Sequence, residues 1–227
     1  MNSSELHEAF RSGLGVERSR RLSDDDVWRF ADEAYRGFVR LIGGIPDFTS
    51  AATAVALVAS VPTSALDPTI LTISRMTRRS DNVNVKIINQ TDLNTIPASS
   101  LNSDYGNSGI VQLDITEGAV DYAILGMERN KVRWVRVPDA ADTVDMMIYR
   151  LPSARITTDG QALDEIEDTH HFALLDWMYY LAANTPEVAD RPMASYHRAA
   201  FLTYCVQAKS ENARYQHKPR VVQYGGL

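Results

Sequence analysis

The chain has 227 residues, 44% hydrophobic and 23% charged, with 23 basic against 29 acidic side chains and a net charge of −6. This is the mix of a globular protein with one or two domains and a real core, and it excludes a disordered, collagen-like or coiled-coil chain. The mild acidity argues against a dedicated DNA reader, the single Cys205 excludes an internal disulfide and a multi-cysteine metal site, and the most apolar run, 51–59, is too short to cross a bilayer.

Residues 1–22 are rich in charge without a clean period, and read as a polar arm with at most a short helix. They hold no apolar block of the kind a secretory signal carries, so synthesis in a reducing cytoplasm is expected. Ser23 then opens a helix. It can cap the backbone, and Asp24-Asp25-Asp26 puts negative charge at the positive end of the helix dipole. Val27, Phe30, Ala31, Ala34, Phe38 and Leu41 follow as one apolar stripe, until Gly43-Gly44 and Pro46 stop the helix.

Beyond Pro46 the composition turns to Val, Ile, Thr, Asn and Asp, the mix of strands and turns. Strands are expected at 51–61, 70–78, 83–89, 110–116, 120–127, 131–137 and 143–150, with a hairpin turn over Met127–Lys131 and a polar loop over Asn102–Gly109. Seven short strands with no long helix between them predict an antiparallel sandwich or small barrel. Leu151-Pro152 closes this region. A helix over Glu167–Ala183 carries His171, Phe172, Leu175, Met178, Tyr179 and Ala182 on one face. Asp190 caps a second helix, with Pro192 in its first turn and Met193, Tyr196, Ala200, Tyr204 and Ala208 at helical spacing. Pro219 marks its end.

The fold class is therefore α+β. A helical bundle over 23–46 and 153–215 holds an inserted β domain, 47–152, and an extended tail, 216–227, follows. Charge divides sharply near the C-terminus. Eight acids and no Lys or Arg lie in 156–190, whereas six basic residues and one acid lie in 191–227. Such blocks meet either within one chain or between copies.

Few residues suggest chemistry. Glu167-x-x-His170 has the spacing of a carboxylate–histidine metal pair, yet His197 lacks the matching Glu of a second copy, and His7, His170, His171, His197 and His217 are too scattered for a zinc pattern. No phosphate-binding loop, dinucleotide fingerprint or nucleophile elbow occurs. Asp and Glu are numerous enough for a glycosidase pair, but nothing selects two of them. No catalytic residue, metal ligand or cofactor is expected, and Cys205 reads as a small buried hydrophobe. The tail differs: Val221-Val222-Gln223-Tyr224, flanked by Lys218 and Arg220, is too short for a core yet strand-prone. Lys218, Arg220, Val221, Val222 and Tyr224 are therefore expected to bind a partner by adding to a sheet edge.

The run Thr143 to Pro152, with Tyr149-Arg150-Leu151-Pro152 at its end, resembles the last strand of the head-to-tail adaptor (connector) proteins of tailed bacteriophages, of the short-tailed phage type. Arg133-Trp134-Val135-Arg136-Val137-Pro138 is similar to their strand-plus-proline step. Asp164-Glu165-Ile166-Glu167-Asp168, then Leu174-Leu175-Asp176-Trp177, then Tyr196-His197 match their acidic segment and helix pair. His197 stands where a tyrosine motif is usual. The likeness covers the C-terminal half and agrees with the first helix.

The resemblance implies a virion protein that forms a homo-oligomeric ring, commonly dodecameric, beneath the portal. The helical part docks on the portal protein, the β part faces tail nozzle or fibre proteins, and DNA passes through the lumen unread, with no membrane involved. A ring of −6 subunits makes a negative channel in which DNA slides rather than sticks. Two other readings are a wall-degrading virion glycosidase and a sugar- or receptor-binding β module on a helical oligomerisation stalk.

Overall fold

The computed structural model describes residues 1–89 and 117–216. The chain is mixed α+β, and it divides into two compact units: Met1–Ile45 with Leu151–Leu227, and Pro46–Arg150.

In the first unit the polar arm expected over 1–22 gives way to a packed helix. α1 (Ser3–Leu14) is closed at its start by a reciprocal cap, in which Asn2 Oδ1 accepts from the Glu5 amide and the Glu5 carboxylate accepts from the Asn2 amide. Leu6, Phe10 and Leu14 lie four apart and are buried, while Glu5, Glu8 and other polar residues between them obscure the stripe in the sequence. A single turn, α2 (Val16–Ser19), leads to α3 (Asp24–Ile42). Ser23 caps α3 by accepting from the Asp26 amide at 3.1 Å, and Gly43 ends it at φ +103°, a left-handed conformation that favours glycine. The α3 stripe is buried as expected from Val27 to Phe38, but Leu41 is exposed and Ile42 takes its place.

A 3₁₀ turn over Asp168–His170 precedes α4 (His171–Ala183), and Asp190 Oδ1 caps α5 (Arg191–Gln216) through the Met193 amide at 3.1 Å. α4 packs on α1, α3 and α5. Tyr179 joins three of these helices, its ring 5.2 Å from Phe10 and 4.8 Å from His197 and its hydroxyl donating to the Ala9 carbonyl. A Cβ on Gly13 would stand 2.0 Å from that hydroxyl, so glycine is what lets α1 approach α4. The inward faces agree only in part with those expected. α4 buries His171, Met178 and Ala182 of the expected face but also Ala173 and Leu174, and leaves Phe172 62% exposed; α5 buries Ala208 of its expected stripe but otherwise Ala194, Phe201 and Cys205, and exposes Tyr196 and Tyr204.

The second unit is built on one eight-stranded sheet, in the order β1 (Ile45–Asp47), β10 (Asp142–Arg150), β4 (Ile70–Arg78), β5 (Asn84–Asn89), β7 (Tyr122–Leu125), β8 (Lys131–Val135) and β3 (Thr63–Ala65). β2 (Ala54–Leu57) also pairs with β10, and β6 (Glu117–Gly118) pairs with β9 (Val137–Pro138). Of the expected antiparallel sandwich or small barrel, the structure is nearer the barrel, a curled half-barrel sheet, and the expectation is corrected in two respects. β5 runs parallel to β7, as β6 does to β9, and the main core is enclosed by one curled sheet rather than by two facing ones. Val55, Ile73, Met76, Val85, Val132, Trp134, Val144 and Ile148 all point into that core.

The curl brings β3 beside β2, where Trp134 Nε1 donates to Ser64 Oγ at 3.0 Å and Ser64 Oγ donates to the Ala56 carbonyl at 2.8 Å. The strand expected over 51–61 is interrupted there. A 3₁₀ turn over Ala51–Thr53 precedes β2, and Ser60, at φ +59°, turns the chain before β3. The β7–β8 hairpin turns over 126–130 with Gly126 and Asn130 at positive φ. The strand expected at 110–116 and the loop Asn102–Gly109 lie outside the described residues.

Candidate docking surfaces

The partner-binding residues expected in the tail, Lys218, Arg220, Val221, Val222 and Tyr224, lie outside the described residues. The candidate metal pair does not converge. Glu167 precedes the 3₁₀ turn and accepts from the His170 amide through its backbone carbonyl at 2.9 Å, while the His170 ring lies against the Phe38 ring at 5.5 Å with Nε2 3.7 Å from the Glu211 carboxylate. Among the described residues no group of three His, Cys, Asp or Glu is placed to hold a metal ion. His197 Nδ1 lies 2.7 Å from Asp176, tying α5 to α4. His171 is 1% exposed, with Nε2 3.1 Å from the Leu163 carbonyl, and burial lowers its pKa. Cys205 is likewise enclosed, and burial pushes its thiol up to about 12, so it stays protonated and unreactive.

Several carboxylates that could have served a glycosidase are held by arginines. Asp47 pairs with Arg150, Asp81 with Arg78 and Asp145 with Arg79. In the second unit, Leu57, Arg78, Asp81, Val120 and Asp142 line a recess of about 170 Å³. The Arg78 guanidinium there is committed to Asp81 and the Val120 carbonyl, which keeps it charged and structural.

Two surfaces of the helical unit are less self-contained. The first is a recess of about 430 Å³ between α1, the start of α3 and residues 157–159. Its floor is Trp28 with the His7 ring stacked on it at 4.6 Å. Arg11 fastens this corner by donating to the Ser19 and Leu22 carbonyls and to Asp24, and that hydrogen bond holds the Asp24 carboxyl below its usual range. Glu8, Asp25 and Asp159 also line the recess; they are exposed and make no ion pair among the described residues. The sequence offered no sign of this site, because Glu8 lies in a stretch read as a polar arm, Asp25 in a helix start and Asp159 in the acidic block 156–190.

The second surface is the outer side of α5. Ala199 to Ala208 contains no charged residue, yet only Phe201, Cys205 and Ala208 of that run are buried. Leu202 and Val206 are 40% and 69% exposed. A helix apolar on more than one side ordinarily has something covering each apolar side. Among the described residues no helix is long and apolar enough to cross a membrane.

A family model described as SU10 adaptor protein matches residues 1–222. A comparison with curated proteins finds no match.

Proposed function

We propose that this chain, which belongs to the SU10 adaptor protein family, forms a homo-oligomeric ring, of twelve copies as is common for such adaptors, between the portal and the tail of a phage. Membership of that family implies a structural rather than a catalytic part in the virion neck. In this reading the unit built from 1–45 and 151–227 docks on the portal protein and the inserted β unit offers surface to nozzle or fibre proteins. DNA passes through a lumen whose wall repels phosphate, since each copy brings a charge of −6. The whole-chain family match carries the reading, and the apolar outer side of α5, unused within the monomer, supports it.

The tail 216–227 is assigned to the portal or to a neighbouring subunit through Lys218, Arg220, Val221, Val222 and Tyr224. Mixing the purified protein with portal rings of its phage should give a complex containing a ring of this chain, visible by electron microscopy. Removing 216–227 should leave the melting temperature of the monomer nearly unchanged and abolish incorporation into portal-containing particles. Virions that contain none of this protein would overturn the adaptor role. Normal incorporation of the truncated chain would overturn the role of the tail alone.

A further inference from the structure

The helical unit carries exposed charges of both signs that make no ion pair among the described residues, and two of its surfaces each collect one sign. Arg191, Arg198 and Lys209 are exposed and make no ion pair among the described residues, although eight acids precede them in 156–190. Their spacings of seven and eleven residues set them in one row along α5, and Leu202 lies on the same row. Three acids that make no ion pair among the described residues, Glu8, Asp25 and Asp159, line the recess that holds Trp28. One surface is thus a cationic ridge with an apolar strip, and the other is an acid-rimmed recess with an aromatic floor. The ridge belongs to α5 and the recess to α1, α3 and the 157–159 segment, so a contact between them joins unlike surfaces.

We infer that the ridge of α5 in one copy seats in the Trp28 recess of the next copy, and that this is the contact that builds the ring. The inference rests on the ring reading above and names its interface. Each surface carries what the other lacks: Arg198 and Lys209 meet Glu8, Asp25 and Asp159, while Leu202 and Val206 cover Trp28. A contact between unlike surfaces leaves one of each free at the ends of any open chain of copies, and the set closes only as a ring. The charged rim sets register and encounter rate, and the apolar centre supplies affinity. Assembly therefore weakens as salt is raised.

The test uses the full chain and sedimentation across a wide concentration range. Wild-type protein should self-associate. The variants E8K/D25K and R198E/K209E should each need at least tenfold more protein to do so, with melting temperatures close to wild type. Mixed in equal amounts the two variants should assemble again, because each then offers the other an opposite charge at both contacts. The chain carrying all four changes should assemble alone. L202D/V206D should block assembly without charge reversal. If either charge variant assembles as wild type does, or if the mixture fails to recover, the interface is wrong while the ring stands. If wild type stays monomeric at every concentration, the interface as a self-sufficient contact is wrong, and the ring then stands or falls on the complex with portal rings.

Discussion

Asp47 is only 5% exposed on its side chain and is held by Arg150 at 2.5 Å and by the Thr49 and Ser50 amides at 2.9 and 3.1 Å. Burial alone would raise its pKa, but hydrogen bonds from Ser50, Thr49 and Arg150 outweigh it and hold the carboxyl far below the usual range. A depressed folded-state pKa means stability that is present above the unfolded value, about 4, and is lost as pH falls through the folded one. Asp47→Ala should cost about 1–3 kcal/mol at neutral pH, since it removes the acceptor of the Thr49 and Ser50 amides together with the carboxylate facing Arg150. It should also flatten the acid limb of a denaturation series below about pH 4, and an unchanged limb would show that Asp47 is not what titrates. Cys205 gives a simpler check. With its thiol protonated and enclosed, a thiol reagent should leave the native protein unlabelled and react only after unfolding.

The helices differ most from expectation in which side faces inward. α4 offers two apolar faces one residue apart. Of the expected face His171, Met178 and Ala182 are inside, but Leu174 is buried where Phe172 and Leu175 were expected. α5 offers a stripe of Met193, Tyr196, Ala200, Tyr204 and Ala208 and another of Ala194, Phe201, Cys205 and Ala208, and the second is buried because the Phe201 ring packs against Trp177 of α4 at 4.6 Å and Phe38 of α3 at 6.3 Å. Leu174→Ala should therefore cost about 2–5 kcal/mol in chemical denaturation, and Phe172→Ala close to nothing in the monomer. Equal losses at both would mean that the helix is rotated from the position described. Gly13→Ala tests the α1–α4 contact. The added methyl has to displace Tyr179 from between Phe10 and His197, for about 1–3 kcal/mol of lost stability.

At the scale of the whole chain, the core of the second unit is drawn from its own strands, with Trp134 at its centre and the Trp134–Ser64–Ala56 chain holding the curl. Expressed alone, residues 46–150 should give a soluble β protein that unfolds cooperatively. A fragment with helical or disordered circular dichroism would show that the unit depends on the rest of the chain. Trp134→Ala in the intact protein should cost about 3–5 kcal/mol.

Local chemistry made much of this fold legible. Ser23, Gly43 and Asp190 set helix ends through single hydrogen bonds or a left-handed residue, and runs rich in Val, Ile and Thr between turn residues placed β4, β5, β8 and β10 within a residue or two, because these signals depend on near neighbours in sequence. The adaptor family was also legible, in the run from Thr143 to Pro152 and the helix pair after it. Three features were decided only by tertiary structure. α1 proved to be a packed helix, since Leu6, Phe10 and Leu14 gain meaning only against α4 and α3. The sheet proved mixed and curled, since a period-2 pattern is the same whether a strand's neighbour runs parallel or antiparallel. The recess around Trp28 exists because Arg11 draws α1 to the start of α3, which brings Glu8 beside Asp25 across sixteen residues of chain that no spacing rule connects.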